Sequence, residues 1–229
     1  MDFPVNRIAE PRTVRLVATA RLRDPVLQKL VDDELQMADL AEIEGATSGR
    51  LTAASRGADD IDAREFVAGV PHAAFINAAF SYWRPRELNR FNGPGRGGWY
   101  AALTVETALV EVIFHMTREL ERVGEFTATV DYAEIFASFA GEFVDLRGVS
   151  PVPDCLHPEP DVGYPAGNAI ADSARTAGLN GIVYPSIRHC AGTCLVALRP
   201  QAVQSVAQGA IFRITWTGMR EPEVSQVTA

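Results

Sequence analysis

Lysine is almost absent. Lys29 is the only one among 21 basic residues, so the cationic chemistry of this chain rests on arginine, and no catalytic lysine lies in the C-terminal two thirds. Cysteine is scarce. Three residues, an odd number, at these spacings build no disulfide framework, and reduced cytosolic thiols are the simplest reading. No apolar run approaches the roughly 18–20 residues that a membrane-spanning helix needs. The opening Met1-Asp2-Phe3-Pro4-Val5-Asn6-Arg7 shows no basic stretch followed by an apolar one, so no secretory signal is expected and the chain reads as cytoplasmic. Basic runs are also missing. With 21 basic against 29 acidic residues, a net charge of −8 and a pI near 5.0, the chain is a poor nucleic-acid binder, because phosphate contacts dominate that affinity. What remains is ordinary globular composition: 229 residues, 47% hydrophobic, 22% charged, mean hydropathy +0.01. This suffices for a core without staples and is too apolar for a disordered chain.

Residues 1–13 read as a polar, Pro-bearing loose tail. Pro25 to Glu44 has helical spacing (Val26, Leu27, Leu30, Val31, Leu35, Leu40, Ile43), opened by Asp24 and Pro25. Gly45 to Asp60 reads as a loop and Asp62 to Phe66 as a short helix. Ala73 to Trp83 is apolar and aromatic, a buried strand or a short helix. The loop Arg90–Gly98 leads into a short strand, Trp99–Leu103. Thr104 to Arg122 is a helix with Ala108, Leu109, Val112, Ile113 and Met116 on one face. Strands are expected at Glu125–Tyr132, Phe143–Leu146, Gly181–Tyr184, Cys194–Leu198 and Ala210–Thr217. The five prolines of Pro151–Pro165 imply irregular chain, followed by a helix from Ala166 to Ala177. Helices and strands mix without βαβ regularity, which defines an α+β fold. The expected division is a tail with a helical extension over 1–70, a main domain over 71–217 and a polar tail over 218–229.

Three features carry chemistry. The Gly-rich loop lacks the Gly-Lys-Ser/Thr of a P-loop and the strand–loop–helix context of a dinucleotide fingerprint. Locally it is a turn or an anion cradle; Arg84, Arg86, Arg90 and Arg96 around it favour phosphate or carboxylate recognition. Glu111 sits in the apolar run Ala108–Phe114, where an unpaired buried carboxylate is costly. Either the helix turns it to solvent beside Glu106 or Arg118, or it faces a cleft, compensated by Arg90, as a base or hydroxyl anchor. Ser186, in Tyr184-Pro185-Ser186-Ile187-Arg188, lacks the Gly-x-Ser-x-Gly elbow of a hydrolase nucleophile; it is a turn serine or a side chain delivered to a site by a strand end. Neither Glu111 with His115 nor His189 with Cys190 and Cys194 matches a known metal-ligand spacing, so no metal is expected. Nothing local marks Cys190 as an activated nucleophile with His115 or His189 as its base.

Taken in order, Arg90-Phe91-Asn92-Gly93-Pro94, Trp99-Tyr100-Ala101-Ala102, Glu106-Thr107-Ala108-Leu109-Val110-Glu111-Val112 and Gly181-Ile182-Val183-Tyr184-Pro185-Ser186 resemble the RES domain, over about Pro71 to Thr217. The resemblance implies an ADP-ribosyltransferase-like mixed sheet with flanking helices. It implies a bacterial toxin that degrades NAD+ by hydrolysis or phosphorolysis at the nicotinamide–ribose bond and is neutralised by a DNA-binding Xre-type antitoxin. Carried over, Arg90 holds the pyrophosphate or ribose and Tyr100 packs on the nicotinamide end. Glu111 bonds the ribose and stabilises an oxocarbenium-like transition state, and Ser186 supports the pocket. Arg84, Asn92, Arg96, Asn168 and Arg188 complete the expected substrate contacts, with Arg84 in the region where many RES domains carry an early Arg-Tyr-like pair. NAD+ is then substrate, no bound cofactor is needed, and homo-oligomers are compatible. Two alternatives share the site: transfer of ADP-ribose to a protein, and a non-catalytic module that binds a nucleotide or partner.

Overall fold

A computed structural model of the chain describes residues 3–21, 61–81 and 88–227. Seven strands and three helices follow in the order β1 (Val5–Ala18), α1 (Ala73–Ser81), β2 (Trp99–Ala102), α2 (Val105–Val123), β3 (Thr127–Asp145), α3 (Pro160–Thr176), β4 (Gly181–Pro185), β5 (Thr193–Ala197), β6 (Gln204–Thr217) and β7 (Glu223–Val227). The mixed sheet runs β1-β2-β5-β4-β3-β6-β7, and β1 also pairs with β3, which closes β1, β2, β5, β4 and β3 into a ring. Only β3 and β4 are parallel, joined by the crossover through α3. The α+β class expected from the sequence is the one observed.

The N-terminus corrects the sequence reading. Residues 5–13, expected to be loose, belong to a 14-residue strand that pairs with β3 from Val5↔Val144 to Ala18↔Tyr132. Pro11, the reason for expecting a break, falls in the register shift between Glu10 and Thr13, where a missing N–H costs no ladder bond. Ile8, Val14, Leu16 and Val17 are buried, and the Thr13 hydroxyl donates to the Ala137 carbonyl at 2.9 Å. The expected helix Pro25–Glu44, the loop Gly45–Asp60 and Arg84 lie outside the described residues. Two further corrections concern length. The two strands expected over Glu125–Leu146 are one 19-residue strand, β3, and the expected polar tail after Gly218 contains β7, which pairs with β6.

Ala73–Ser81 resolves to helix, with Ile76 and Phe80 buried beside Trp99, Phe139, Phe143 and Leu195. On the other side Phe91, Val144, Leu146, Ile182, Val196 and Leu198 form a second cluster. Each large side chain so buried contributes roughly 1.5–3 kcal/mol. α2 is well bounded. Thr104 caps it by accepting from the Thr107 amide, and Gly124, at φ 78°, ends it with its N–H on the Leu120 and Glu121 carbonyls. Its apolar residues Leu109, Val112, Ile113 and Met116 pack on Ile214 and Trp216, which leaves Glu111 to face elsewhere.

α3 begins earlier than expected, at Pro160 rather than Ala166, because a proline at the first helical position loses no bond. Its glycines fix where it sits. A Cβ on Gly167 would stand 1.9 Å from the Arg90 carbonyl oxygen, and one on Gly163 would meet the His157 carbonyl at 2.7 Å and Arg90 Nη1 at 2.8 Å. The helix is thus pressed directly onto Arg90.

Candidate active site

Glu111 faces inward from the second turn of α2. Its Oε1 accepts the Ser186 hydroxyl at 2.7 Å, and the Cys194 thiol lies 3.8 Å from the same oxygen. Oε2 has no hydrogen-bond partner among the described residues. The Ser186 oxygen itself accepts the amides of Arg188 at 3.2 Å and His189 at 3.0 Å. With its acceptor sites occupied, its single hydrogen is left for Glu111. Ser186 is therefore a turn serine whose hydroxyl also holds the Glu111 carboxylate. Glu111 is half-buried and held by Ser186, and Arg90 forms no ion pair with it among the described residues.

Three guanidinium groups surround this pair. Arg90, 9% exposed, gives Nη1 to the carbonyls of Cys155 (2.6 Å) and His157 (3.0 Å) and lies 5.3 Å from the centre of the Tyr164 ring. Arg188 donates to the Pro158 carbonyl at 2.7 Å and stacks 3.6 Å from the centre of the Phe114 ring. Arg118 approaches the same ring at 5.7 Å. The charges of Arg90 and Glu111 both act on His115, Tyr184 and Arg188, so they face the same groups. Burial, then the charge of Arg90, lowers the pKa of Arg188. Partial desolvation lowers the pKa of His115; Glu111 one turn back opposes this, and Arg118, Arg188 and Arg90 reinforce it.

Arg96, Arg122, Arg147, Arg175, Arg213 and Arg220 have carboxylate partners in Glu65, Glu119, Asp145, Asp172, Asp131 and Glu121. Arg90, Arg118 and Arg188 have none among the described residues, and neither do Arg7, Arg12, Arg64 and Arg199; what sets the three apart is that their charges act on the same groups as Glu111. Leaving cations unpaired at a partly buried wall is costly unless an anion arrives there. The wall thus combines three guanidinium groups with a carboxylate held by Ser186.

Other expected contacts lie elsewhere. The Tyr100 hydroxyl accepts the Phe91 amide at 3.0 Å and donates to Asn92 Oδ1 at 2.8 Å, and burial raises its pKa. Asn92, 2% exposed, also donates to the Arg96 carbonyl at 3.0 Å. Arg96 is bidentate on Glu65 (3.0 and 2.6 Å) and donates to the Leu198 carbonyl at 2.9 Å. Asn168 donates to the carbonyls of Asn89 and Tyr164, each at 2.8 Å. These four side chains staple the Gly-rich loop. Arg96 and Asn168 line a depression of about 330 Å³ that includes none of Glu111, Ser186 or Arg188.

Burial and Glu111 push the Cys194 thiol up to about 12, which disfavours its thiolate. No three His, Cys, Asp or Glu side chains cluster as metal ligands among the described residues. Sequence reasoning misses Tyr164 and Thr107 as parts of this wall, and weighs Arg118 only as a solvent-side neighbour of Glu111 and His189 only as a base or metal ligand. The available signal was helical spacing: Thr107 and Arg118 lie four residues before and seven after Glu111.

Fold and site together define an α+β protein with a hydrogen-bonded carboxylate beside an arginine-bearing wall. The comparisons agree with that class. The family model for the RES domain matches residues 66–217, two thirds of the chain, and the chain belongs to the RES domain family. Members of that family are toxins of toxin–antitoxin systems. β1 lies outside the matched range and supplies the strand that closes the ring. No curated protein matches the chain. No helix among the described residues is long and apolar enough to cross a membrane.

Proposed function

We propose that this chain is a RES-type toxin that cleaves NAD+ at the nicotinamide–ribose bond and is neutralised in the cytoplasm by an Xre-type antitoxin. The observation that carries the reading is the Glu111–Ser186 pair at 2.7 Å beside three guanidinium groups without carboxylate partners. NAD+ is an anionic dinucleotide with a cationic nicotinamide, and the site offers the complement of each. Arg90, Arg188 and Arg118 take the pyrophosphate, with Arg90 and Arg188 held in place by backbone carbonyls.

As the C–N bond breaks, its electron pair leaves with nicotinamide, which departs neutral, and positive charge develops on the ribose. A carboxylate already ionised and oriented stabilises that charge without reorganising. Ser186 holds Oε1, and Oε2 is the oxygen offered to the ribose hydroxyl. Tyr100 and Asn92 shape the wall by fixing the Phe91 backbone, and Phe91 packs on Tyr184 at 4.9 Å between ring centres. Water or phosphate completes the reaction at the ribose carbon.

The test is NAD+ loss by the purified chain with and without inorganic phosphate, with product identification. Free ADP-ribose marks hydrolysis, and ADP-ribose 1″-phosphate marks phosphorolysis. Label transferred to protein marks the transferase alternative. NAD+ bound and recovered intact sinks the catalytic reading in favour of a binding module.

A further inference from the structure

Thr107 lies one helical turn before Glu111 on α2 and is 1% exposed. Its Oγ1 stands 2.8 Å from His189 Nδ1 and 3.1 Å from Thr104 Oγ1. A threonine whose hydroxyl points to solvent would need no such partner; this one reaches out of the helix and takes hold of the loop that follows β4. The same His189 gives its amide to Ser186 Oγ, and Ser186 gives its hydrogen to Glu111. A circuit of hydrogen bonds thus leaves α2 at Thr107, passes through His189 and Ser186, and returns to α2 at Glu111, about 6 Å along the same helix face.

The loop is closed around that circuit. The Ser186 amide donates to the Gly192 carbonyl at 2.8 Å, and the Gly192 amide to the His189 carbonyl at 2.9 Å. A Cβ on Gly192 would fall 2.8 Å from Thr107 Oγ1 and 3.0 Å from His189 Nδ1, so the backbone passes over the pair with no room for a side chain.

We infer that Thr107 and His189 are positioning residues for the reaction: they fix the two loop amides that orient the Ser186 hydroxyl, and through it the Glu111 carboxylate. This rests on reading Glu111 as the carboxylate that acts on NAD+. Neither residue needs to touch substrate. Their loss leaves Arg90 and Arg118 in place and the Arg188 guanidinium still held by the Pro158 carbonyl and the Phe114 ring, so substrate binding is spared while the transition-state contact is misplaced.

The experiment pairs steady-state kinetics with amide hydrogen exchange of the full chain. In Thr107→Val, kcat falls about 10- to 100-fold while KM for NAD+ stays within about threefold, the scale expected when a reacting group shifts by a fraction of an ångström. Thr107→Ser, which keeps the hydroxyl, restores kcat. His189→Ala gives the same split from the loop side, without altering the helix, and His189→Asn, whose amide retains a polar atom near Nδ1, recovers much of the rate. In the breaking variants the amides of Arg188 and His189 exchange faster while the β3 amides do not change. Parent kcat in both breaking variants, a rise in KM in place of the fall in kcat, or failure of Thr107→Ser to rescue overturns the inference. If the parent consumes no NAD+, the reading of the site falls separately. The exchange arm still decides the tether, and unchanged protection at Arg188 and His189 in the breaking variants removes it.

Discussion

Two arginine-bearing regions lie on either side of Phe91, and they use the same residue types in opposite ways. In the Gly-rich loop, Arg96 is bidentate on Glu65 and bonded to Leu198, Asn92 is satisfied by Tyr100 and Arg96, and Asn168 ties α3 to Asn89. In the wall around Glu111, Arg90, Arg118 and Arg188 hold backbone carbonyls or an aromatic face and no carboxylate. The difference teaches that an arginine's role is set by its partner. A guanidinium whose charge is met inside the protein builds structure, whereas the proposed site draws on guanidinium groups that have no carboxylate partner among the described residues.

The largest expected effect breaks the comparison at its functional end. Glu111→Gln keeps the shape and the Ser186 contact but removes the charge, so NAD+ consumption should fall by about 100-fold or more with the melting temperature close to the parent's. A parent-like rate would place the chemistry elsewhere. Arg118→Gln comes next and is cleaner than Arg90→Ala, because Arg90 also satisfies the Cys155 and His157 carbonyls and its loss leaves them unpaired. For Arg118→Gln, KM for NAD+ should rise several-fold at unchanged stability.

At the structural end, Arg96→Ala leaves Glu65 without its main partner and should cost about 2–3 kcal/mol, lowering the melting temperature by roughly 4–10 °C. Activity per folded molecule should change less than in Glu111→Gln. A loss of rate with no loss of stability would move Arg96 into the site.

How legible was this division in the sequence? Residue type and order single out Arg90, Glu111, Ser186 and Arg188, and the structure bonds Ser186 to Glu111 and sets the charges of Arg90 and Glu111 on Arg188. For Asn92, Arg96 and Asn168 the sequence shows a polar side chain near a motif but not its structural partner. Glu65 lies 31 residues from Arg96, and Asn89 lies 79 from Asn168. Most of the sheet was legible from alternation and turn residues. β1 was not, because Pro11 and the polar positions around it mask the alternation, and only the bulge shows how a proline fits there. β7 is exposed throughout, so it lacks the apolar pattern that reveals a strand. The wall residues Thr107 and Arg118 were hidden for a simpler reason: a helix stripe around Glu111 becomes visible only once Glu111 is known to face inward.

Smaller effects sharpen the picture away from the site. Paired with Arg147 and bonded by Asn6, Asp145 is held at about 2, below its ordinary value near 4. A carboxyl with a depressed folded-state pKa stabilises above its unfolded value, and that stability is lost as pH falls from about 4 toward 2. Acid unfolding of Asp145→Asn should therefore be shallower over that window than the parent's; identical acid limbs would contradict the anchor. Alkylation at neutral pH should label exposed Cys190 first, leaving Cys155, raised to about 11, and Cys194, raised to about 12, until the chain unfolds.

The central claim is that an anchored carboxylate among open guanidinium groups breaks the nicotinamide–ribose bond. Nicotinamide release from NAD+ by the purified parent, beside Glu111→Gln at matched folded concentration, tests it most directly. The account predicts turnover by the parent and at least about a 100-fold loss in the variant. Equal release by both proteins, or none from a well-folded parent, would contradict it.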